Sequence, residues 1–272
     1  MQAEQSIAFV GGGAMGEAMI KGLIARGIAQ PQQIIASDPV AARRDLMARA
    51  YGIRTTADNR VAVADAGVVI LAVKPQMMAT VGAELQGALP PEALVISIMA
   101  GVALATLQQG LAHERIVRAM PNTPAQVNMG ATVWMATPAV TPEQREQTAA
   151  ILGALGEQIR VEKEDFLDMQ TGLGGSGPGF VFLLIEAMID AGVQMGFARA
   201  DAQTIVLQTV AGSVELMRQT GLHPAELRNR VTSAGGTTAA GLYVLEKAGV
   251  RAILADAILA AYQRSQELGK VS

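Results

Sequence analysis

The chain has 272 residues, of which 50% are hydrophobic, 17% charged and 3% aromatic, with a formal net charge of -3 and no cysteine. Such a length supports a large buried core and two domains of ordinary size. A mildly acidic chain poor in aromatics has neither a basic field nor a stacking surface for nucleic acid, and the absence of thiols removes disulfide frameworks and thiolate nucleophiles, which suits a reducing cytoplasm. The opening "MQAEQSIAFVGGG" lacks a basic n-region and meets glycines too soon for an export signal.

From Ser6 to about Val161, short β-rich runs alternate with helical patterns. The runs "SIAFV", "QIIAS", "GVVILAV", "ALVISI" and "RIVRAM" predict the βαβ rhythm of a doubly wound parallel sheet. Two later runs, "GATVWMAT" and "EQIRV", flank a helix signal in which Thr141 caps, Pro142 opens and Glu143 follows; these runs are expected to extend the sheet at its edge. The fold class expected is therefore α/β, with a Rossmann domain over residues 1–162.

Beyond Lys163 the pattern turns helical, over 164–172, 177–196, 199–219, 223–229 and 238–268, so residues 163–272 are expected to form an all-α second domain. The most apolar stretch, Pro178 to Phe197, contains Glu186 and Asp190 four apart and reads as a buried helix rather than a membrane span. Helices apolar on more than one face leave a bundle of this size uncovered, which predicts a homodimer.

The first chemical site lies in "IAFVGGGAMGEAMIKG". Gly11, Gly13 and Gly16 keep the G-x-G-x-x-G spacing between a strand and a helix, the context in which free N-H groups hold a pyrophosphate. Asp38 stands at the end of the second strand, where a carboxylate accepts from a ribose 2'-hydroxyl and favours NAD, whereas Ser37, Arg43 and Arg44 suit a 2'-phosphate. The residues themselves leave NADH and NADPH open. Lys74-Pro75 and Ala100-Gly101 end two further strands, at the edge where ligands of such sheets bind. Lys74 reads equally as a solvated cation, and Pro121, Asn122, Thr123 and Pro124 form a stiff turn that either walls the nicotinamide pocket or is purely structural.

Reduction of a carbonyl needs a tuned acid or base. The only histidines, His113 and His223, sit in structural positions, no metal-ligand pattern is present, and no lysine lies between Glu164 and Glu246, where dehydrogenases of the 3-hydroxyacid and 6-phosphogluconate kind, which the two-domain layout resembles, carry a catalytic one. The helix after the Rossmann domain opens instead with "GLGGSGPGF", where Ser176 and Pro178 shape an N-H-rich mouth suited to an anion. Reduction of a protonated imine demands only hydride delivery and positioning. In "VTSAGGTTAAGLYVLE" (231–246), Ser233, Gly235 and Gly236 offer a hydroxyl and bare amides to a carboxylate while a threonine hydroxyl meets the imine nitrogen; an elaborate N-cap is the equal alternative.

With that signature, "VGGGAMGEAM", "DNRVAVADAGVVILAVKPQ", "RAMPNTPAQV" and "TGLGGSGPGFVFLLIEAMIDAGVQMG" in order, nearly the whole chain resembles the pyrroline-5-carboxylate reductase family. The resemblance implies reduction of L-1-pyrroline-5-carboxylate to L-proline, the last step of proline biosynthesis, by a cytoplasmic enzyme of this two-domain fold. It implies Thr238 at the ring nitrogen, Ser233, Gly236 and Thr237 around the substrate carboxylate, and Ser176 near the substrate. Gly11, Gly13, Ala14, Met15, Gly16, Ser37, Asp38, Asn59, Ala72, Val73, Lys74, Pro75, Ala100, Gly101 and Val102 match dinucleotide positions, with NADPH (NADP) the first expectation and NADH (NAD) the alternative. The second domain is implied to interlock into a homodimer, in some cases a ring of dimers, with no membrane and no nucleic-acid partner. Two positions depart from the family pattern: Asp38, often neutral or hydroxyl-bearing there, and Arg230, often a neutral amide. A six-membered cyclic imine as substrate, and a redox sensor without catalysis, are the competing readings.

Overall fold

The computed structural model describes residues 6–270, without the side chain of Lys270. Residues 1–5, the first part of the stretch read for an export signal, lie outside the described residues.

Strand β1 (Ser6–Val10) shows why the first unit needs two covering layers. Ile7 and Phe9 point to one face and Ala8 and Val10 to the other, and all four are fully buried. The chain continues through α1 (Ala14–Ala25), β2 (Ile34–Ser37), α2 (Ala41–Tyr51), β3 (Arg54–Thr56), α3 (Asn59–Val63), β4 (Ala66–Leu71), α4 (Met78–Leu85), β5 (Leu94–Ser97), α5 (Leu104–Leu111), β6 (Ile116–Met120), β7 (Gly130–Ala136), α6 (Pro142–Gly153) and β8 (Gly156–Arg160). Met19, Ile20 and Leu23 of α1, Met47 of α2 and Ile151 and Leu152 of α6 pack on the Ile7 face. Val63 of α3, Val81 and Leu85 of α4 and Leu107 and Leu111 of α5 pack on the other. Each such side chain contributes roughly 1.5–3 kcal/mol on burial.

The eight strands run in the order β3-β2-β1-β4-β5-β6-β7-β8. β7 lies antiparallel to β6 and β8 parallel to β7, so both late runs extend the sheet at its edge as expected. Thr141 accepts from the Gln144 N-H to cap α6, with Pro142 as first helical residue. The three-residue edge strand β3 was not anticipated; it is too short, and too exposed, to leave an alternating pattern. Register levels the carboxyl ends: Val10 pairs with Ser37 and with Leu71, and Leu71 with Ser97. The strand order reverses between β1 and β4, which makes that edge the ligand-binding crevice of the sheet.

The chain divides into two compact units, one up to Ser176 together with the end of the chain from Ala260, the other Gly177–Leu259. The change of sequence pattern at 162/163 falls just after β8, whereas the division comes after α7 (Asp165–Gln170) and one turn of π-helix (Thr171–Gly175). In the first unit, α7 is tied to the end of α12 (Val250–Lys270): Asp165 accepts from the Tyr262 hydroxyl at 2.8 Å and from the Gln266 amide at 3.1 Å, and Asp168 accepts from Ser265 at 3.0 Å. Arg118 of β6, 5% exposed at its side chain, pairs with Glu164 at 2.7 Å and Asp168 at 3.3 Å.

The second unit contains α8 (Gly177–Gln194), α9 (Arg199–Thr220), α10 (Pro224–Arg230), α11 (Thr237–Lys247) and the first part of α12. The single helix expected over 238–268 is two, because Gly249 takes the left-handed conformation (φ +72°) between α11 and α12. The expectation of a buried helix over 178–197 is also corrected. Gly192 is the one buried residue of α8, and Val181, Phe182, Leu183, Leu184 and Met188 are all exposed. The unit folds into helices without enclosing them. By length and composition alone, Asp165–Gln194 is also apolar enough to cross a membrane.

Candidate active site

The glycine loop follows from the sheet. The Gly11 N-H donates to Ser37 O at 2.9 Å and the Ala72 N-H to Val10 O at 2.8 Å, so the loop is pinned between the ends of β2 and β4. Gly11 has φ +102°, and a Cβ there would lie 2.7 Å from the Ala72 carbonyl oxygen; one on Gly16 would lie 2.6 Å from Gly11 O. These two glycines are required by the protein itself. At Gly13 a Cβ would meet nothing within 4 Å. Gly13 is the N-cap of α1 and no side chain caps that helix, so the N-H groups of its first turn face open space beside a residue without a side chain. That arrangement fits a pyrophosphate.

The residues at the adenosine end take places that spacing does not reveal. Asp38 is 9% exposed, and both its oxygens accept backbone amides, Oδ2 from Gly12 at 3.0 Å and Oδ1 from Val40 at 2.8 Å. Ser37 is fully buried, its hydroxyl 3.2 Å from Phe9 O and 2.7 Å from Asn59 Oδ1, while the Asn59 amide donates to Glu84 at 2.6 Å. Arg43 donates to Gly12 O and to Glu17 Oε2, and Tyr51 donates to the other Glu17 oxygen at 2.8 Å. The Arg43 bond holds the Glu17 carboxyl below the usual carboxylate range, against burial, and burial followed by the Glu17 contact pushes the Tyr51 phenol up. Arg44, half-buried, donates to the carbonyls of Asp38 and Pro39 at 2.8 and 3.0 Å.

Ala72, Val73, Lys74 and Pro75 follow β4 into a 3-10 turn, with Lys74 exposed, and Ala100, Gly101 (φ +73°) and Val102 follow β5. A cavity of about 650 Å³ is lined by Pro75, Gln76, Met78, Val102, Thr106 and Leu268 among others. Asn122 holds its turn in place: its amide donates to Gly174 O at 3.0 Å and its Oδ1 accepts from the Ala131 N-H at 2.9 Å. It thereby ties the β6 turn to the π-helical turn that ends at Ser176, a link across the chain that spacing could not supply. The His113 ring lies 2.7 Å from Ala93 O and His223 caps α10, so both imidazoles serve the fold.

In the second unit, Gly235 (φ +70°) turns the chain into α11, whose N-cap is Gly236. A Cβ on Gly236 would strike the Ser233 hydroxyl. No side chain caps this helix. The capping alternative for the signature therefore gives way: Ser233 and Thr237 are exposed, Thr238 is half-buried, and the first amides of α11 stand without a side-chain partner. Arg230 pairs with Glu226 at 3.0 Å, one turn back on α10.

Comparison with known proteins agrees with this geometry. Residues 164–268 match the family model for pyrroline-5-carboxylate reductase dimerisation, and residues 6–101 match that for NADP oxidoreductases, coenzyme F420-dependent. A pyrroline-5-carboxylate reductase of Synechocystis is 47% identical over 97% of this chain and 98% of its own. The chain belongs to the pyrroline-5-carboxylate reductase family. Among solved members of that family, the Coxiella burnetii reductase superimposes with a TM-score of 0.92 at 37% identity, covering 97% of this chain and 98% of its own. A Plasmodium falciparum pyrroline carboxylate reductase with NADP bound gives 0.88 at 29% identity, with the same coverages.

Proposed function

We propose that the protein reduces L-1-pyrroline-5-carboxylate to L-proline, with a nicotinamide dinucleotide as hydride donor. The observation that carries this reading is the uncapped N-terminus of α11, with Ser233, Thr237 and Thr238 presented around bare amides. That N-terminus and the Ser233 and Thr237 hydroxyls hold the substrate carboxylate, through N-H donors and the positive end of the helix dipole. The Thr238 hydroxyl orients the ring nitrogen. Hydride is the chemistry the bound dinucleotide supplies. Ala14, Met15 and Gly13 hold its pyrophosphate through their N-H groups, and Ala72 to Pro75 with Ala100 and Gly101 line its path along the carboxyl ends of β4 and β5.

NADPH is the cofactor we assign, ahead of NADH. Asp38 turns each oxygen to a backbone amide, which leaves it fewer lone pairs for an unphosphorylated ribose, and the Arg44 guanidinium stands at the β2-α2 turn. The exposed apolar face of α8 supports a homodimer built through the second unit, from which rings of dimers extend. We read the enzyme as cytoplasmic.

The test is nicotinamide absorbance on mixing purified protein with pyrroline-5-carboxylate and either nucleotide. Oxidation that depends on the imine, faster with NADPH, is the expected result. A protein that binds the nucleotide yet oxidises none with this imine would overturn the reading.

A further inference from the structure

Asp38 and Arg43 stand on opposite sides of the cofactor question in the sequence, yet the structure sets both on one residue, Gly12, through the two peptides that flank it. Asp38 accepts from the Gly12 N-H at 3.0 Å, and Arg43 donates to the Gly12 carbonyl through Nε at 3.0 Å and through Nη2. Arg43 is itself held by Glu17 at 2.7 Å, and Glu17 by the Tyr51 hydroxyl at 2.8 Å. All of these groups are buried or half-buried. In a planar trans peptide the carbonyl and the following N-H point opposite ways. A carbonyl of Gly12 fixed toward Arg43 therefore turns the Gly13 N-H away from Arg43, and at Gly13 itself a Cβ would meet nothing within 4 Å.

We propose that Asp38 and Arg43 are positioning residues that preset the glycine loop for a pyrophosphate, Asp38 by holding the Gly11-Gly12 peptide through its N-H and Arg43 by holding the Gly12-Gly13 peptide through its carbonyl, and that neither selects between NADH and NADPH. Glu17 and Tyr51 extend the clamp by holding the guanidinium in place. The chemistry explains the residue types: the N-H needs an anionic acceptor and the carbonyl a forked cationic donor. Presetting removes a reorganisation cost common to every ligand that carries the pyrophosphate, whatever its 2' substituent. The inference rests on the dinucleotide-dependent reading above, and adds to it how the cradle is aimed.

The experiment is equilibrium titration of the full chain with NADPH, NADH and ADP-ribose, for wild type, Arg43→Ala, Arg43→Lys and Asp38→Asn, with thermal unfolding of each as a check on folding. Every variant is expected to weaken all three ligands by a shared factor of about ten, the loss of a charge-assisted hydrogen bond. The NADPH to NADH affinity ratio should stay within about two-fold of wild type. Arg43→Lys keeps the charge but loses the Nε donor that completes the fork on Gly12 O, so it should stay weakened toward all three ligands; it carries the test if Arg43→Ala fails to fold. Selective loss of NADPH in an Arg43 variant, selective gain of NADPH in Asp38→Asn, or unchanged affinities would overturn the proposal. A wild type that binds nucleotide without imine-dependent oxidation sinks the assigned reaction and leaves this inference standing. A wild type that binds no nucleotide sinks both.

Discussion

A threonine hydroxyl donates and accepts without carrying charge, so the role proposed for Thr238 in imine reduction is one of direction rather than of a strong acid. Thr238→Ala should lower kcat by roughly 10- to 100-fold while leaving nucleotide affinity unchanged, and Thr238→Ser should keep most of the rate. Steady-state kinetics beside nucleotide titration checks this, and undiminished turnover in the alanine variant would remove Thr238 from the mechanism. Glu17 gives a pH-dependent counterpart in the first unit. Its carboxyl is held below its ordinary value by Arg43 and by Tyr51, against burial, so its stabilisation is present above the ordinary carboxyl range and lost as pH falls through the lowered folded value. Glu17→Gln should then unfold at lower temperature than wild type at about pH 7, with the gap closing as pH falls through the lowered folded value; a gap independent of pH would mean that only shape matters there. The two residues differ in legibility. Thr238 sits in a contiguous signature that spacing leaves even between an anion cradle and an N-cap and that the family resemblance reads as a cradle, whereas Glu17, Asn122 and Asp38 act on groups 26, 52 and 26 residues away in the chain. Spacing carries no information about such contacts.

At the scale of elements, the strands were readable because a sheet covered on both faces writes itself as short apolar runs, and the glycine loop because Gly11 and Gly16 are sterically compelled. The misses have local causes. β3 has three residues, and the break at Gly249 lies between two runs that keep one helical pattern across it. Arg118 is a further case, since an arginine inside "RIVRAM" gives no sign that it faces acids 46 and 50 residues later. That contact fixes α7 against β6, and the same acid reaches Ser265 of α12. Replacing Arg118 by Met would leave Glu164 and Asp168 without their cation. With Asp168 20% and Glu164 32% exposed, solvent recovers part of the loss, so about 2–3 kcal/mol of destabilisation is expected from denaturant unfolding. Less than about 0.5 kcal/mol would make the contact an ordinary surface ion pair.

The second unit raises a problem that only the whole molecule answers. Its helices are fully formed, yet Phe182 and Leu183 are each 64% exposed and Val181, Leu184 and Met188 lie beside them on α8. Each such side chain forgoes roughly 1.5–3 kcal/mol while it faces water. A membrane would also take an apolar helix, but Glu186 and Asp190 interrupt this one, and the same residues fall within the match to a dimerisation family. A second copy of the chain satisfies both observations, because an isologous interface covers the apolar face of each protomer with that of the other. Phe182→Glu with Leu183→Glu should therefore yield monomers in sedimentation velocity, with the far-ultraviolet helical signal largely kept. Nucleotide binding, which we assign to the glycine loop of the first unit, should survive in those monomers, and turnover should fall because the helices that present Ser233, Thr237 and Thr238 lose their cover. Retention of the wild-type sedimentation coefficient by the double variant would exclude this face of α8 from the interface and require the apolar surface to be covered elsewhere.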